Sequence, residues 1–233
     1  MTITRPDVAV CGAAQILIVG VRVWRLLMML AVALLWLGGL SIASGGFPAL
    51  AGAADDAVRQ GRQAYDRGDF TSAIVAWREA AEAGSAAAQN ELGLMFQTGR
   101  GAPPDYAEAL KWYRLAAERG DAAALTRIGW LYQNGWGVPQ DYAEAIRWYR
   151  KAADRDYAPA MTNLASLYEK GKGTPRDFAV AFKWYQEAWE RGADKWAAYR
   201  LGQFYENGWG VEKDDAIASF WNALASGPAA MCG

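Results

Sequence analysis

Residues 121–156 read DAAALTRIGWLYQNGWGVPQDYAEAIRWYRKAADRD, and this stretch decides the fold. Its first part, Ala122 to Asn134, sets Leu125, Ile128, Gly129 and Tyr132 on one face at helical spacing. From Tyr142 to Asp154 a second face gathers Tyr142, Ala145, Ile146, Tyr149, Ala152 and Ala153. Asp141 followed by Glu144 has the form of a capping box at the start of that second helix, and Asp105 with Glu108 repeats it. Pro139 stands just ahead of the cap, where no helical N–H is lost. The turn between the helices is Gly135-Trp136-Gly137. Its first glycine is expected to end the first helix in a left-handed conformation. Its second is expected to allow another positive φ or a close backbone approach.

The stretch is one copy of several. Tyr106, Tyr142 and Phe178 stand 36 residues apart, as do Trp112, Trp148 and Trp184, and Gly99, Gly135 and Gly171. A fourth copy follows at a spacing of 37 (Leu201, Gly202, Tyr205, Gly208, Gly210, Trp221), the extra residue falling between Gly192 and Tyr199. Phe70 and Gly84 match Tyr106 and Gly120 one period earlier. Self-similarity at a fixed period with two helical faces per unit predicts an all-α solenoid without a sheet. The expected units are a helix pair at 54–84, four repeats at 85–120, 121–156, 157–192 and 193–227, and a short tail at 228–233. Gly84, Gly120 and Gly192 are expected to stop the second helices. Gly93, Gly129, Ala165 and Gly202 fall inside the first helices, where glycine costs about 1 kcal/mol relative to alanine. Recurrence at one register predicts close helix–helix contact there. The recurrent Trp112, Trp148, Trp184, Tyr132, Tyr168 and Tyr205 are expected to pack between units.

At these residues the chain resembles the Sel-one-like repeat family, a close cousin of the tetratricopeptide repeat. Block 121–156 carries the pattern as Ala124, Ile128, Gly129, Tyr132, Gly135, Gly137, Asp141, Ala145, Trp148, Tyr149, Ala152 and Ala153. The last block departs from it at Trp221-Asn222, where the others have Trp-Tyr, and at Glu212, where the others have Pro. The resemblance covers about 85–227 and implies a right-handed α/α superhelical solenoid of helix–turn–helix repeats. Residues 55–83 read more like an ordinary tetratricopeptide repeat.

Composition narrows the chemistry. The 233 residues hold 24 Lys and Arg, 25 Asp and Glu, and no His. A net charge of −1 gives no footprint for nucleic acid. Lack of His removes the usual general base and the commonest transition-metal ligand. Cys11 and Cys232 are too few and too far apart for a zinc site or a disulfide scaffold. Gly171-Lys172-Gly173-Thr174 lacks the phosphate-loop frame. No cofactor, metal or catalytic residue is expected. Cysteine-rich relatives are reported as penicillin-binding or β-lactam-hydrolysing, but their helix pairs are disulfide-linked and that pairing is missing here.

The first fifty residues have the form of an address. Arg22 and Arg25 precede the apolar run Leu26 to Leu40, and Ala49-Leu50-Ala51-Gly52-Ala53 follows. A basic region, an apolar region and an A-x-A site predict a secretory signal peptide over 1–53, cut after Ala51 or Ala53. Loss of Arg5, Arg22, Arg25 and Asp7 with it takes the net charge from −1 to −3. The alternative is an uncleaved anchor, the one route by which this chain would meet a membrane.

In tetratricopeptide relatives the first helix of each pair lines the concave groove. Aligned on Leu-Gly, the resemblance carries the groove positions to Asn90, Leu94, Gln97, Thr126, Trp130, Gln133, Thr162, Ser166, Glu169, Tyr199, Gln203 and Glu206. Amides with a few aromatics suit recognition of a protein or peptide. Trp130 stands out, since its register equivalents are Leu94, Ser166 and Gln203. Trp136 and Trp209 are read either as exposed tips or as packing on the next turn. The function these readings favour is a non-enzymatic, exported scaffold or regulator of the bacterial envelope. An oligomerising module and an enzyme acting on the cell wall or on β-lactams are the alternatives.

Overall fold

The computed structural model describes residues 46–192 and 194–226, with side chains from residue 52 onward. It divides into two units, Met1–Ala49 and Leu50–Gly233, and the repeats lie in the second. The expected leader falls outside the described residues up to residue 45, as does the tail. Among the described residues there are ten α-helices and no strand: α1 Gly46–Asp66, α2 Phe70–Glu82, α3 Ala86–Thr98, α4 Tyr106–Glu118, α5 Ala122–Asn134, α6 Tyr142–Ala153, α7 Ala158–Lys170, α8 Phe178–Gly192, α9 Lys195–Asn207 and α10 Asp215–Ser226. From α3 on, each odd-numbered helix packs most extensively against the even-numbered helix that follows it and less extensively against the one before. The result is the expected all-α, α/α solenoid.

Local chemistry sets the helix ends. Asp121, Asp141 and Asp105 each accept a hydrogen bond from the backbone N–H three residues on. The capping boxes are only half formed. The Asp141 N–H donates to the Tyr132 carbonyl at 2.9 Å, and Asp105 N–H to Phe96 O at 2.8 Å, so neither needs the glutamate. Glu144 turns instead to Arg147 and Glu108 to Lys111. Gly84 and Gly120 adopt positive φ, but Gly192 does not: it is the last residue of α8, and a Cβ there would meet Ala158 Cβ at 2.5 Å. Asp156 takes the left-handed place in its unit, with φ 58°.

The mid-helix glycines bring a ring onto the backbone. A Cβ on Gly93 would lie 2.4 Å from the Tyr113 ring, and one on Gly129 2.8 Å from Tyr149. Gly61 does the same under Trp77 in the N-terminal pair. Ala165 fills this position in the third repeat, where it and Tyr185 are both buried. The tyrosine of each Trp-Tyr pair is thus the fully buried ring. Its tryptophan neighbour is half-buried; Trp148 and Trp184 each touch two neighbouring clusters, and Trp112 one.

The turns join one unit to the one before. A Cβ on Gly137 would come within 2.8 Å of the Tyr106 backbone, and one on Gly173 within 2.6 Å of Tyr142. Between each glycine pair stands a residue that covers the aromatic ring opening the preceding second helix. Arg100 lies over Phe70 at 5.7 Å and Lys172 over Tyr142 at 5.1 Å. Trp136 meets Tyr106 at 4.9 Å, and Trp209 stacks on Phe178 at 5.6 Å. A cation and an indole serve alike because both are attracted to a π face. Trp136 and Trp209 therefore pack backwards on the previous unit's helix start, not on the next turn.

Burial holds the Tyr113, Tyr149 and Tyr185 hydroxyls well above the usual phenol range, since their phenolates would be desolvated. A pKa raised in the folded state gives stability that is full below the unfolded value and is lost as pH rises. Phenolate absorbance of the folded protein is expected to show three of the 11 tyrosines silent near pH 10. The denaturation midpoint is expected to fall above that pH. Uniform titration of all tyrosines in folded protein would contradict this burial.

Candidate functional site

The odd-numbered helices α3, α5, α7 and α9 carry the twelve candidate residues. On each, three positions spaced i, i+4 and i+7 form one stripe, as Asn90, Leu94 and Gln97 do. The structure gives the three positions of the stripe different surroundings.

The first position joins neighbouring repeats at Asn90 and Thr162. Asn90, Thr126 and Thr162 are 7–8% exposed. Asn90 Oδ1 accepts from Arg127 Nε on the next repeat at 3.1 Å. Thr162 donates to Asp194 Oδ2 at 2.7 Å, and Asp194 caps α9. Thr126 donates to its own helix, at Ala122 O. Tyr199 is the exception: it is 38% exposed and packs against exposed Trp196, with ring centroids 5.3 Å apart.

The last position receives the buried tyrosines. Tyr113 donates to Gln97 Oε1 at 2.7 Å, Tyr149 to Gln133 Oε1 at 3.0 Å, and Tyr185 to Glu169 Oε2 at 2.9 Å. These acceptors are half-buried, while Glu206, opposite Asn222, is exposed. Glu169 also holds both Nε and Nη2 of Arg200 in a fork–fork pair, with side chains 12% and 14% exposed. Arg200 reaches Gln203 as well. Arg127 and Arg200 thus belong to this surface, although the Leu-Gly alignment passes over them. Their signal in the sequence is a charge-varying column, Glu91, Arg127, Asn163 and Arg200.

The middle position, Leu94, Trp130, Ser166 and Gln203, is half-buried in every repeat. Trp130 meets Trp136 edge-on at 4.4 Å, and Trp136 continues to Tyr106. The two tryptophans form one cluster and are not independent of each other. Among the described residues no three His, Cys, Asp or Glu side chains gather as a metal would require, and no helix is long and apolar enough to cross a membrane.

Paired helices at a 36-residue period, locked by Gly-x-Gly turns, define an α/α repeat protein of the solenoid class. The Sel1 repeat pattern matches residues 86–121, 122–157, 158–192 and 197–221, and the chain belongs to the Sel1 repeat family. Among solved structures it is similar to a Sel1 repeat protein from Oxalobacter formigenes, with 32% identity, a TM-score of 0.63, and 71% of this chain and 68% of that one covered. It is also similar to c5321, described as a protective antigen present in uropathogenic Escherichia coli strains, with 30% identity and a TM-score of 0.68. That match covers 76% of this chain and 38% of the other. A putative Sel1 repeat protein from Klebsiella pneumoniae shares the fold at 21% identity, a TM-score of 0.53, and coverage of 76% and 87%. No curated protein matches the chain. Sel1 repeat folds generally serve as protein-interaction scaffolds and are typically non-catalytic.

Proposed function

We propose that this chain is an exported scaffold of the bacterial envelope that binds a protein or peptide along its odd-numbered helices. The observation that carries this reading is the middle position of the stripe. The buried rings Tyr113, Tyr149 and Tyr185 and their acceptors Gln97, Gln133 and Glu169 repeat their residue or its chemistry, whereas Leu94, Trp130, Ser166 and Gln203 share neither and stay partly open on a rigid frame. Variation of that kind suits recognition, with Trp130 as the anchor. Export rests on the leader read in the sequence. The first buried side chain described on α1 is Ala57, which lies beyond both expected cleavage points.

The test is expression of the full chain in a Gram-negative host with a photo-crosslinking amino acid at position 94, 130 or 203, and at exposed Leu115 or Arg147 on the even-numbered helices as controls. The protein is expected in the periplasmic fraction, starting at Gly52 or Ala54, with one heterologous adduct from the first set only. With that partner purified, Trp130→Ala is expected to weaken binding about thirtyfold, or about 2 kcal/mol. Trp136→Ala is expected to weaken it too, through the ring contact, so Leu115→Ala is the neutral control. Adducts from the control positions alone would overturn the groove. A cytoplasmic protein would overturn the export.

Self-association is the second reading, favoured by Ile217 and Phe220, which are 38% and 57% exposed on α10. A homodimer adduct from position 220 would establish it.

A further inference from the structure

A cavity of about 360 Å³ opens between the C-terminal turns of α4 and α6, with Leu125 of α5 in its wall. Leu125 and Ala117 supply apolar lining, Trp148 an indole wall, and Arg114, Lys151 and Arg155 three cations against the single carboxylate of Glu118. Lys151 Nζ sits 4.3 Å from the Trp148 ring centroid. None of the three cations is in an ion pair among the described residues; Arg114 reaches the Tyr132 hydroxyl at 3.3 Å, and Arg155 the Lys151 carbonyl at 2.8 Å.

The repeat supplies its own control. Cations near helix C-termini are favourable wherever they occur, and the arginines at 114 and 155 do recur one period away on either side. Trp112 and Trp184 recur likewise. What does not recur is Lys151, whose equivalents are Leu115 and Glu187, and Leu125, whose equivalents are Gln89 and Met161. One unit on, Asp156 occupies Arg191 in an ion pair at 2.5 Å, and Asp154, in the place of Glu118, and Glu187 add two more negative charges. One unit back, Arg78 and Arg119 also stand outside any ion pair among the described residues, against Glu82, but Leu115 replaces the third cation and Gln89 the leucine. The middle junction is the one that joins three such cations to Leu125. Helix capping alone predicts equal junctions.

We propose that this cavity binds a carboxylate carried on an apolar or aromatic group, as at the end of a chain whose last residue is large and apolar. Its size is at the small end of ligand sites, enough for one such residue. Arginines and a lysine match a carboxylate, and the indole and leucine match its apolar carrier. A phosphate fits less well. It has no apolar carrier to meet Leu125, Ala117 and Trp148, and the N-terminus of α5, whose free N–H groups would favour it, is already capped by Asp121.

The test is calorimetric titration of the purified protein at low salt with N-acetylphenylalanine, its primary amide, inorganic phosphate, and a tripeptide ending in phenylalanine. The acid is expected to bind at least about tenfold more tightly than the amide or phosphate, and more weakly as salt rises. Lys151→Glu, which copies the third junction, is expected to weaken it by about tenfold or more, and Glu118→Gln to tighten it, with the helical circular dichroism retained in both. Equal binding of acid and amide, tighter binding of phosphate, or indifference to Lys151→Glu in folded protein would overturn the proposal. A tripeptide tighter than the single residue identifies a chain end as the ligand, and equal affinity a small apolar acid. Either result upholds the carboxylate site.

Discussion

Gly173→Ala is expected to lower the unfolding free energy by about 3 kcal/mol or more, although it adds one methyl group. Two costs act together. Gly173 has φ 71°, a conformation that costs an L-residue about 1–2 kcal/mol. The new Cβ would also lie 2.6 Å from Tyr142 C and 2.8 Å from Ala143 N. Those are backbone atoms at the start of α6, so no side chain can swing aside. Relief requires the turn to lift from the preceding unit, which pulls Lys172 off the Tyr142 ring. Gly129→Ala is the contrast. Its Cβ would meet the Tyr149 ring, and the third repeat already accommodates alanine at this register as Ala165. Its cost is expected to be smaller, offset in part by about 1 kcal/mol of helix propensity. Denaturant midpoints of the two variants check the order. If Gly173→Ala costs under about 1 kcal/mol, the turn is not seated on α6. Neighbouring units of a short array support each other, so a broadened transition is also expected for Gly173→Ala.

Much of this architecture was legible because the information is local and repeated. The helix from Ala122 to Asn134 needs only its apolar spacing, its Asp cap and its terminal glycine, and the structure ends it at those residues. The mid-helix glycines were legible for the same reason. The turn contact was not. Its residues, Arg100, Trp136, Lys172 and Trp209, share no residue class, and what unites them is a ring about 30 positions earlier in the chain. The capping glutamates were misread because the carbonyls of Phe96 and Tyr132 reach the cap N–H first, and only the returning turn puts them there. Gly192 was misread because α8 continues through it, whereas α4 and α6 end short of the equivalent position. For the candidate site, register arithmetic finds the helix face but not the spacing between neighbouring helices. That spacing buries Asn90 and Thr162 in inter-repeat hydrogen bonds while leaving Ser166 and Gln203 half open.

Arg200→Ala is expected to cost about 3 kcal/mol, far more than an exposed ion pair contributes. The arginine joins α9 to α7 through both oxygens of Glu169, and that carboxylate also accepts from Tyr185. Removing the cation leaves a nearly buried negative charge with one hydroxyl for company. The first two repeats show how the same place is filled without charge, by Gln97 and Gln133 under Tyr113 and Tyr149. Glu169→Gln in the Arg200→Ala background is therefore expected to recover most of the loss, since a neutral amide still accepts the Tyr185 hydroxyl. The double-mutant cycle separates two accounts of the pair. If charge burial governs the cost, the double variant is more stable than Arg200→Ala alone. If Arg200 acts by packing, including its approach to Trp209 at 5.8 Å, the double variant is no better than the single. Recovery would leave the two helices of the third repeat joined by the same neutral contact that serves the first two. It would also free the Glu169 position to be tested for partner binding without a change in stability.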